Sequence, residues 1–347
     1  MRDLVLVLPD LFLSDSDALD GARAAGLTRL RFAQASPLRG GWRGLLARGV
    51  GRADLMVVDP ADVVAAALGP SQGVPPDEPR DPWLVTPLHL MAGLKTVHLA
   101  ADGLLRLPRD EAEALAAAHD AEFGADGLRL RPAGAAGFVL EGLGAAVGAV
   151  TLEPERLMGS ALDEALPGGA GGPALRAWMT ETEMWLHALP LNRRREARGE
   201  PRVTTLWPWG GGNPLRGPVA AVAPGTAVSA ARWPKVWSDD AWVSALAALA
   251  GAVVEPLPAG DGEGAALDAL LGAAERSVCA VVPVTARGLP AFDRAFVAPA
   301  ARALQEGRLA RLTVAANDRA VHLERADRWR VWRPQRDLLE AVAEGGA

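Results

Sequence analysis

The sequence predicts a mixed α/β fold with a mostly parallel sheet and helices on both faces. Residues 3–8 (DLVLVL) form a continuous apolar run that ends just before Asp10, which is typical of a buried parallel strand. A second run, residues 55–58, ends at Asp59, and a third covers residues 277–283. Helical patterns alternate with these runs, so both parts of the chain are expected to contribute strands to one sheet.

Composition limits the classes of protein to which the chain can belong. Its 347 residues predict about two domains, and a hydrophobic content of 50% supports large buried cores. The formal net charge of −6 gives no overall positive field that would attract nucleic acid or an acidic membrane. The single cysteine, Cys279, excludes an internal disulfide and a thiolate zinc site. We therefore expect neither nucleic acid nor a membrane as a partner.

The start of the chain does not have the pattern of a targeting signal. Residues 4–8 are apolar, but Pro9 and Asp10 interrupt the run, which is too short for a secretory signal. No stretch approaches about 18 uninterrupted apolar residues, the length that a membrane-spanning helix needs. The expected location is the cytoplasm.

Two stretches rich in proline and glycine, residues 69–82 and 167–173, suggest where the domains divide. Between them, strand-like runs surround a strong helical pattern at 108–123. We therefore predict an inserted α+β domain at residues 83–150. The α/β core domain is then expected to consist of residues 1–82 and 151–347.

The most distinctive stretch runs from residue 173 to residue 212. Apolar side chains recur every three or four residues from 175 to 189, which predicts a helix that Pro190 ends. Residues 192–199 contain four arginines and are expected to form a polar turn, followed by a strand at 203–207 and a glycine-rich exit. This stretch suits either a ligand-facing segment or a corner that joins the two domains.

The motif Leu-His-x-Leu-Pro-Leu-Asn-x-x-Arg-Glu-x-Arg-Gly followed by Leu-Trp-x-Trp-Gly-Gly-Gly resembles the bacterial "regulator of pathogenicity factors, type E" family. That family is in turn similar to archaeal-type cofactor-independent phosphoglycerate mutases, of the alkaline phosphatase-like superfamily. Asn192, Arg195 and Gly199 match the mutase pattern, whereas residues 209–212 (WGGG) stand where the mutases have Arg-Gly-x-Gly. The resemblance implies a phosphoglycerate mutase-like fold, and it does not supply a ligand.

Arginine in a loop next to glycine is suited to binding phosphate or carboxylate groups. The candidate ligand is therefore a phosphorylated metabolite, with a protein partner as the alternative. The candidate ligand-binding residues are Asn192, Arg195, Arg198, Trp207, Trp209, Gly210 and Gly212.

The resemblance to the mutases also implies an enzymatic alternative. An active relative would need two divalent metals, held by carboxylates and at least two histidines, and a hydroxyl nucleophile. Asp10 stands near the place of the first metal ligand, with the residues at 14–17 as further ligands, and Thr28 or Ser36 could supply the hydroxyl. Only one histidine, His322, lies beyond the 173–212 stretch.

One imidazole cannot complete two metal sites, so we predict a degenerate relative without a metal or another cofactor. It would be a non-catalytic regulatory or ligand-binding protein, a pseudoenzyme. The alternative is a metal-dependent phosphoryl-transfer enzyme, a mutase or phosphatase, that uses Asp10, Asp59 and His322 with a divalent metal such as Mg or Mn.

Overall fold

The structure is a computed structural model that describes residues 2–9, 27–31, 35–70, 81–93, 96–134, 137–157, 162–213, 231–258, 264–272, 277–282 and 288–337. Its strands are β1 Arg2–Leu8, β2 Arg29–Arg31, β3 Ser36–Pro37, β4 Trp83–Ala92, β5 Val97–Leu104, β6 Arg129–Pro132, β7 Phe138–Glu141, β8 Ala149–Val150, β9 Gly168–Gly169, β10 Thr205–Trp209, β11 Lys235–Trp237, β12 Val253–Glu255, β13 Ser277–Val281, β14 Leu309–Ala316, β15 Arg319–Glu324 and β16 Gln335–Asp337.

The α-helices are α1 Gly41–Gly49, α2 Pro60–Leu68, α3 Arg109–Phe123, α4 Leu162–Ala165, α5 Gly172–Ala188, α6 Pro190–Ala197, α7 Ala241–Ala250, α8 Ala265–Gly272, α9 Leu289–Phe292 and α10 Ala298–Gln305. Short 3-10 helices include Ala53–Val57 and Arg325–Trp329. None of the helices within the described ranges is long and apolar enough to cross a membrane.

The main sheet has seven strands among the described residues, in the order β12-β11-β13-β1-β14-β15-β3. Pairing is parallel from β12 to β14, whereas β15 and β3 are antiparallel. Strand β1 lies at the centre, where Val5 is paired with Cys279 on one side and Thr313 on the other. A strand buried in this way needs the continuous apolar run that its sequence shows. The predicted α/β class with a mostly parallel sheet is confirmed.

The main sheet packs its apolar side chains into a first hydrophobic core. Leu4, Leu6 and Leu8 of β1 contribute to this core, as do Leu312 and Val314 of β14. Side chains of α8 and α10 belong to the same cluster. Each fully buried leucine contributes about 1.5–3 kcal/mol relative to an exposed one, so this core stabilises the sheet substantially.

A second sheet is antiparallel throughout the described residues. Its strand order is β10-β4-β7-β6, and β5 pairs with the far end of β4. Trp83 and Leu88 of β4 are fully buried in a second hydrophobic core, together with side chains of α3 and α5. Side chains from helices as well as from the sheet therefore form the second core.

The chain divides into two compact units, each containing one of these sheets. The first unit consists of Met1–Val57, Gly225–Asp239 and Ala250–Ala347, and the second of Val58–Pro224 and Asp240–Leu249. The second unit contains the expected insertion, 83–150, but is larger, because β10 pairs with β4 and because α5 packs its apolar stripe into the second core. The pairing of strands, which the proline- and glycine-rich stretches do not reveal, accounts for the difference.

Two local predictions were wrong. Residues 192–199, expected to form a polar turn, belong mostly to α6, because Pro190 at the first helical position starts a new helix as well as ending α5. The apolar run 55–58, expected to be a strand, overlaps the 3-10 helix Ala53–Val57. In that helix Leu55 is buried but Val57 is 86% exposed. A run of four apolar residues is too short to distinguish the two structures.

Candidate functional site

The candidate ligand-binding residues lie along α6, the loop after it, strand β10 and its glycine-rich exit, all in the second unit. Asn192 and Arg195, on one face of α6, are buried, whereas Arg193 and Arg194 on the opposite face are exposed. Arg198 follows directly after the helix and is also exposed. The segment thus has a buried polar face and an exposed cationic face.

Asn192 is completely enclosed, and its amide is fully used. Its Nδ2 donates hydrogen bonds of 2.8 Å to the carbonyl oxygens of Leu186 and Val203, and its Oδ1 accepts one of 2.8 Å from the backbone N–H of Val203. One side chain therefore ties the end of α5 to the chain entering β10. Burial of an amide is tolerated when its hydrogen bonds are made in this way.

Two arginines converge on one buried carboxylate, Glu111 of α3. Arg195 and Arg198 each make an ion pair with Glu111, and the Nε of Arg195 donates to the carbonyl oxygen of Pro201 at 2.7 Å. Arg198 also pairs with Glu200 at 2.7 Å, and this hydrogen bond is the main reason that the pKa of Glu200 is lowered. The arrangement fastens α6 to α3 and fixes the position of the following loop.

The two tryptophans of β10 are also held by hydrogen bonds. Trp207 is fully buried and donates from Nε1 to the carbonyl oxygen of Leu152 at 2.8 Å. Trp209 is half-buried and donates to the hydroxyl of Thr86 at 2.9 Å. The indole of Trp207 therefore belongs to the second core, and the indole of Trp209 packs against it.

The glycines after β10 allow a close approach of the backbone. Gly210 and Gly212 have φ angles of 68° and 84°, in the left-handed region. A Cβ atom on Gly212 would lie 2.5 Å from the ring of Trp83, and one on Gly211 would lie 2.2 Å from the carbonyl oxygen of Pro82. This turn therefore requires glycine for packing, independently of any ligand.

The residues of the enzymatic alternative belong to separate parts of the chain. Asp10 and the residues at 14–17 lie outside the described residues. Asp59 precedes α2 in the second unit, where its Oδ2 accepts a hydrogen bond of 3.2 Å from the backbone N–H of Asn213. His322 lies on β15 in the first unit, with its Nδ1 2.9 Å from the hydroxyl of Thr313.

The candidate hydroxyl groups have structural partners. Thr28 donates from Oγ1 to Asp293 at 2.7 Å, and Ser36 donates to the carbonyl oxygen of Ala320 at 3.2 Å. The first hydrogen bond connects the residues before β2 to a helical segment, and the second connects β3 to β15. The two hydrogen bonds therefore go to a carboxylate and to a carbonyl oxygen, not to a histidine that would act as a general base.

All five histidines are described, and they lie on different elements. The Nδ1 of His89 donates to the carbonyl oxygen of Arg202 at 2.9 Å, and His119 is enclosed by aromatic rings. The pKa of His322 is lowered, first by partial burial and then by the positive charges of Arg311 and Arg232. Neighbouring cations also disfavour a metal ion. Within the described ranges, no group of three or more His, Cys, Asp or Glu side chains could hold one.

Comparison with known proteins gives few likenesses. No protein-family model matches the chain, and no curated protein matches it. The solved structures that it resembles include a cofactor-independent phosphoglycerate mutase from Thermoplasma acidophilum DSM 1728, at 14% identity over 93% of this chain and 90% of that chain, with a TM-score of 0.38. The structure of the PH0037 protein from Pyrococcus horikoshii is 13% identical over 92% of this chain and 86% of that one, with a TM-score of 0.41.

At these TM-scores the likenesses assign no residue or activity to this chain, and its fold class rests on its own sheet topology. The membership in the regulator family that residues 186–212 suggested stays an expectation from the sequence, because no family model supports it.

Glu111 is the residue of this site that sequence reasoning missed. It lies in the first turn of the helix predicted at 108–123, where an acidic side chain is expected in any case because it complements the helix dipole. A usable signal was present, because Glu111 lies four residues before Leu115, on the buried side of α3. A glutamate in such a position needs a cationic partner, and the arginines of α6 provide it.

Proposed function

We propose that this chain is a non-catalytic regulatory protein that binds a phosphorylated small molecule through the exposed arginines of the α6 segment. Arg193, Arg194 and Arg198 would contact the anion. Asn192, Arg195 and the β10 exit would hold the segment in shape. The observation that carries the proposal is the buried network of Asn192, Arg195 and Glu111 beneath an exposed cationic face.

The network favours binding because it fixes the backbone that presents the arginines. Asn192 joins the helix to Val203, and Arg195 joins it to Glu111 and Pro201. A site that is already ordered loses little conformational entropy when it binds a ligand. Guanidinium groups are suited to phosphate because they offer paired donors in one plane.

The surroundings of the histidines support the non-catalytic part of the proposal. His119 is buried among Phe123, Trp178 and Trp185, and His322 stands close enough to two arginines for their charges to lower its pKa. A two-metal phosphoryl-transfer site needs imidazoles directed at a shared cation, and neighbouring arginines repel such a cation. His119 is instead a residue of the hydrophobic core, and His322 is a strand residue with arginines nearby.

Thermal unfolding with a panel of anions tests the binding. Inorganic phosphate, 3-phosphoglycerate and other phosphorylated metabolites are added to the full chain, and the uncharged parent compounds serve as the reference. A ligand at a hundredfold excess over its dissociation constant stabilises the native state by roughly 2.7 kcal/mol, which is large enough to measure. We expect at least one phosphorylated compound to raise the melting temperature.

A pair of double variants shows whether α6 is responsible. Arg193→Ser with Arg194→Ser should abolish the stabilisation without lowering the basal melting temperature, because both side chains are exposed. Arg106→Ser with Arg109→Ser removes two exposed arginines elsewhere in the same unit and should leave it unchanged. The proposed ligand site is wrong if no phosphorylated compound stabilises the protein, or if both double variants respond as the unchanged chain does.

Elemental analysis and activity assays test the non-catalytic part separately. We expect the purified protein to contain no stoichiometric Mn or Zn and to lack mutase and phosphatase activity when Mg²⁺ or Mn²⁺ is supplied. Two tightly bound metals per chain, or turnover that Asp10→Ala abolishes, would establish the enzymatic alternative instead.

A further inference from the structure

A second exposed surface lies in the first unit, near residue 330, and none of the predicted functions uses it. Trp329, Val331 and Trp332 are 69%, 72% and 76% exposed, respectively. All eleven tryptophans of the chain are described, and the other nine are buried or half-buried. Three large apolar side chains, all exposed and within four residues of each other, form the kind of surface that marks interaction sites. We call residues 328–333 the Trp–Arg patch.

Arginines are interleaved with these apolar side chains and are held in place. The guanidinium of Arg328 lies 4.7 Å from the ring centroid of Trp329, as a cation–π contact. Arg330 and Arg333 both pair with the buried carboxylate of Asp327, at 2.6 Å and 2.9 Å. The positive charges are therefore fixed beside the exposed indoles.

The backbone of the patch is also ordered. Asp327 and Glu324 form a capping box at the start of the 3-10 helix Arg325–Trp329. The N–H of Arg330 donates to the carbonyl oxygen of Asp327, and the N–H of Arg333 donates to that of Arg330. Directly after the patch, β16 pairs with β2. The surface is thus preorganised, which reduces the entropic cost of binding.

We propose that the Trp–Arg patch is the docking surface for a protein partner that presents a segment with both acidic and apolar side chains. Tryptophan and arginine are among the residues most enriched in the energetic centres of protein interfaces. The patch consists of these two types around Val331. Carboxylates of the partner would pair with the arginines, and its apolar side chains would cover the two indoles.

Charge favours this occupant over the others. Two copies of the chain that met patch to patch would oppose arginine to arginine. Nucleic acids and anionic membranes are long polyanions, and a chain of net charge −6 offers them no general attraction. Arg328 also lies over one ring of the pair, which leaves less free ring surface for stacked bases. A short acidic segment makes only local contacts, within the Debye length of about 8 Å at physiological salt.

A random dodecapeptide display library, selected on the full chain, tests the proposal. Peptides that also bind the double variant Trp329→Ser with Trp332→Ser are removed. We expect the remaining peptides to combine Asp or Glu with aromatic or aliphatic residues. The best of them is then labelled, and its affinity is measured by fluorescence anisotropy.

Single variants measure how much each residue of the patch contributes to the affinity for the labelled peptide. Trp332→Ser should weaken the labelled peptide by about tenfold or more, the range of an interface hot spot. Arg328→Gln should weaken it less and should reduce its dependence on salt. Val150→Ser, which removes another exposed apolar side chain, should leave the affinity unchanged. Arg193→Ser with Arg194→Ser should also leave it unchanged, so the result is independent of the ligand proposed for α6.

Three results would overturn the proposal. The selection could yield no peptides that depend on the tryptophans, or only peptides without acidic residues. Vesicles of phosphatidylglycerol and phosphatidylcholine, or single-stranded polyuridylate, could bind more tightly than any peptide and lose this binding in the tryptophan variants. Sedimentation velocity could show a dimer that the same variants dissociate, which would make a second copy of the chain the occupant.

Discussion

At the scale of single residues, Glu111 has the largest expected effect on stability in the candidate site. It is buried and accepts from both Arg195, which is also buried, and Arg198. Removal of one partner from a buried ion pair leaves the other charge unpaired, which typically costs about 3 kcal/mol or more. We therefore expect Glu111→Gln to lower the free energy of unfolding by about 3 kcal/mol, measured by urea denaturation.

Glu113→Gln is the matched control for this experiment. Glu113 lies on the same helix and pairs with Arg109, but both side chains are exposed. Exposed ion pairs contribute about 0–1 kcal/mol, so this variant should be close to the unchanged chain. Equal losses in the two variants would mean that the Glu111 network is not a buried one.

His119 gives the chain a specific dependence on pH. Burial lowers the pKa of its imidazole to about 4, and the charge of Asp120 opposes this only in part. In an unfolded chain the same group has a pKa near 6.5. Between these values the unfolded state binds more protons than the folded state, so stability falls as the pH decreases through this window.

Replacement of His119 by leucine should remove this dependence. We expect the stability of the unchanged chain to decrease by roughly 3 kcal/mol more than that of His119→Leu between pH 7 and pH 4. Both are measured by urea denaturation at a series of pH values. His187→Leu, at an exposed position of α5, should follow the unchanged chain. If the His119→Leu curve is parallel to that of the unchanged chain, the imidazole is not held neutral by burial.

At the scale of elements, the glycine-rich turn after β10 raises the question of why glycine is needed there. Gly212 and Gly199 both have φ in the left-handed region, at 84° and 73°. A Cβ on Gly212 meets the Trp83 ring at 2.5 Å, whereas one on Gly199 has nothing within 4 Å. Backbone strain alone costs about 1–2 kcal/mol for an L-residue.

We expect Gly199→Ala to show only this backbone cost and Gly212→Ala to cost about 1–3 kcal/mol more, because it also displaces Trp83. Thermal unfolding of the two variants measures the difference. Equal destabilisation would mean that the ring moves freely, and the turn would then need another explanation, such as contact with a ligand.

The helices show what periodicity can predict and what it cannot. The apolar stripe from 175 to 189 predicted α5, which the structure shows as Gly172–Ala188, because a long amphipathic helix carries a strong repeat. Helix α6 was not predicted, since a single proline both ends one helix and begins the next. The sequence around Arg195 does not reveal its partner either, because Glu111 is 84 residues away.

At the scale of the whole molecule, the sequence predicted the class of the main sheet but not the extent of the second unit. Continuous apolar strands such as β1 require burial on both faces, which only a sheet covered by other elements provides. The pairing of β10 with β4, in contrast, depends on contacts between residues more than 100 positions apart, such as Trp207 and Thr86. The exposure of Trp329 and Trp332 was equally unpredictable, because tryptophans in apolar-rich sequences are usually buried.

The two hydrophobic cores lead to the last prediction, which concerns the independence of the two units. Leu312 of β14 and Leu88 of β4 are both fully buried, but they belong to the first and second core, respectively. Replacement of either by alanine leaves a cavity that typically costs about 2–5 kcal/mol. If each unit opens as its own cooperative body, each variant loses hydrogen-exchange protection mainly in the unit that contains it.

Hydrogen exchange followed by mass spectrometry measures this directly. Leu312→Ala should accelerate exchange in peptides from β1, β13 and β14, and Leu88→Ala in those from β4, β7 and β10. In each variant, the peptides from the other unit serve as the control, because their exchange should not change. If both variants accelerate exchange equally in both sets, the chain unfolds as a single cooperative body. The separate cores would then describe how the native state is packed but not how it unfolds.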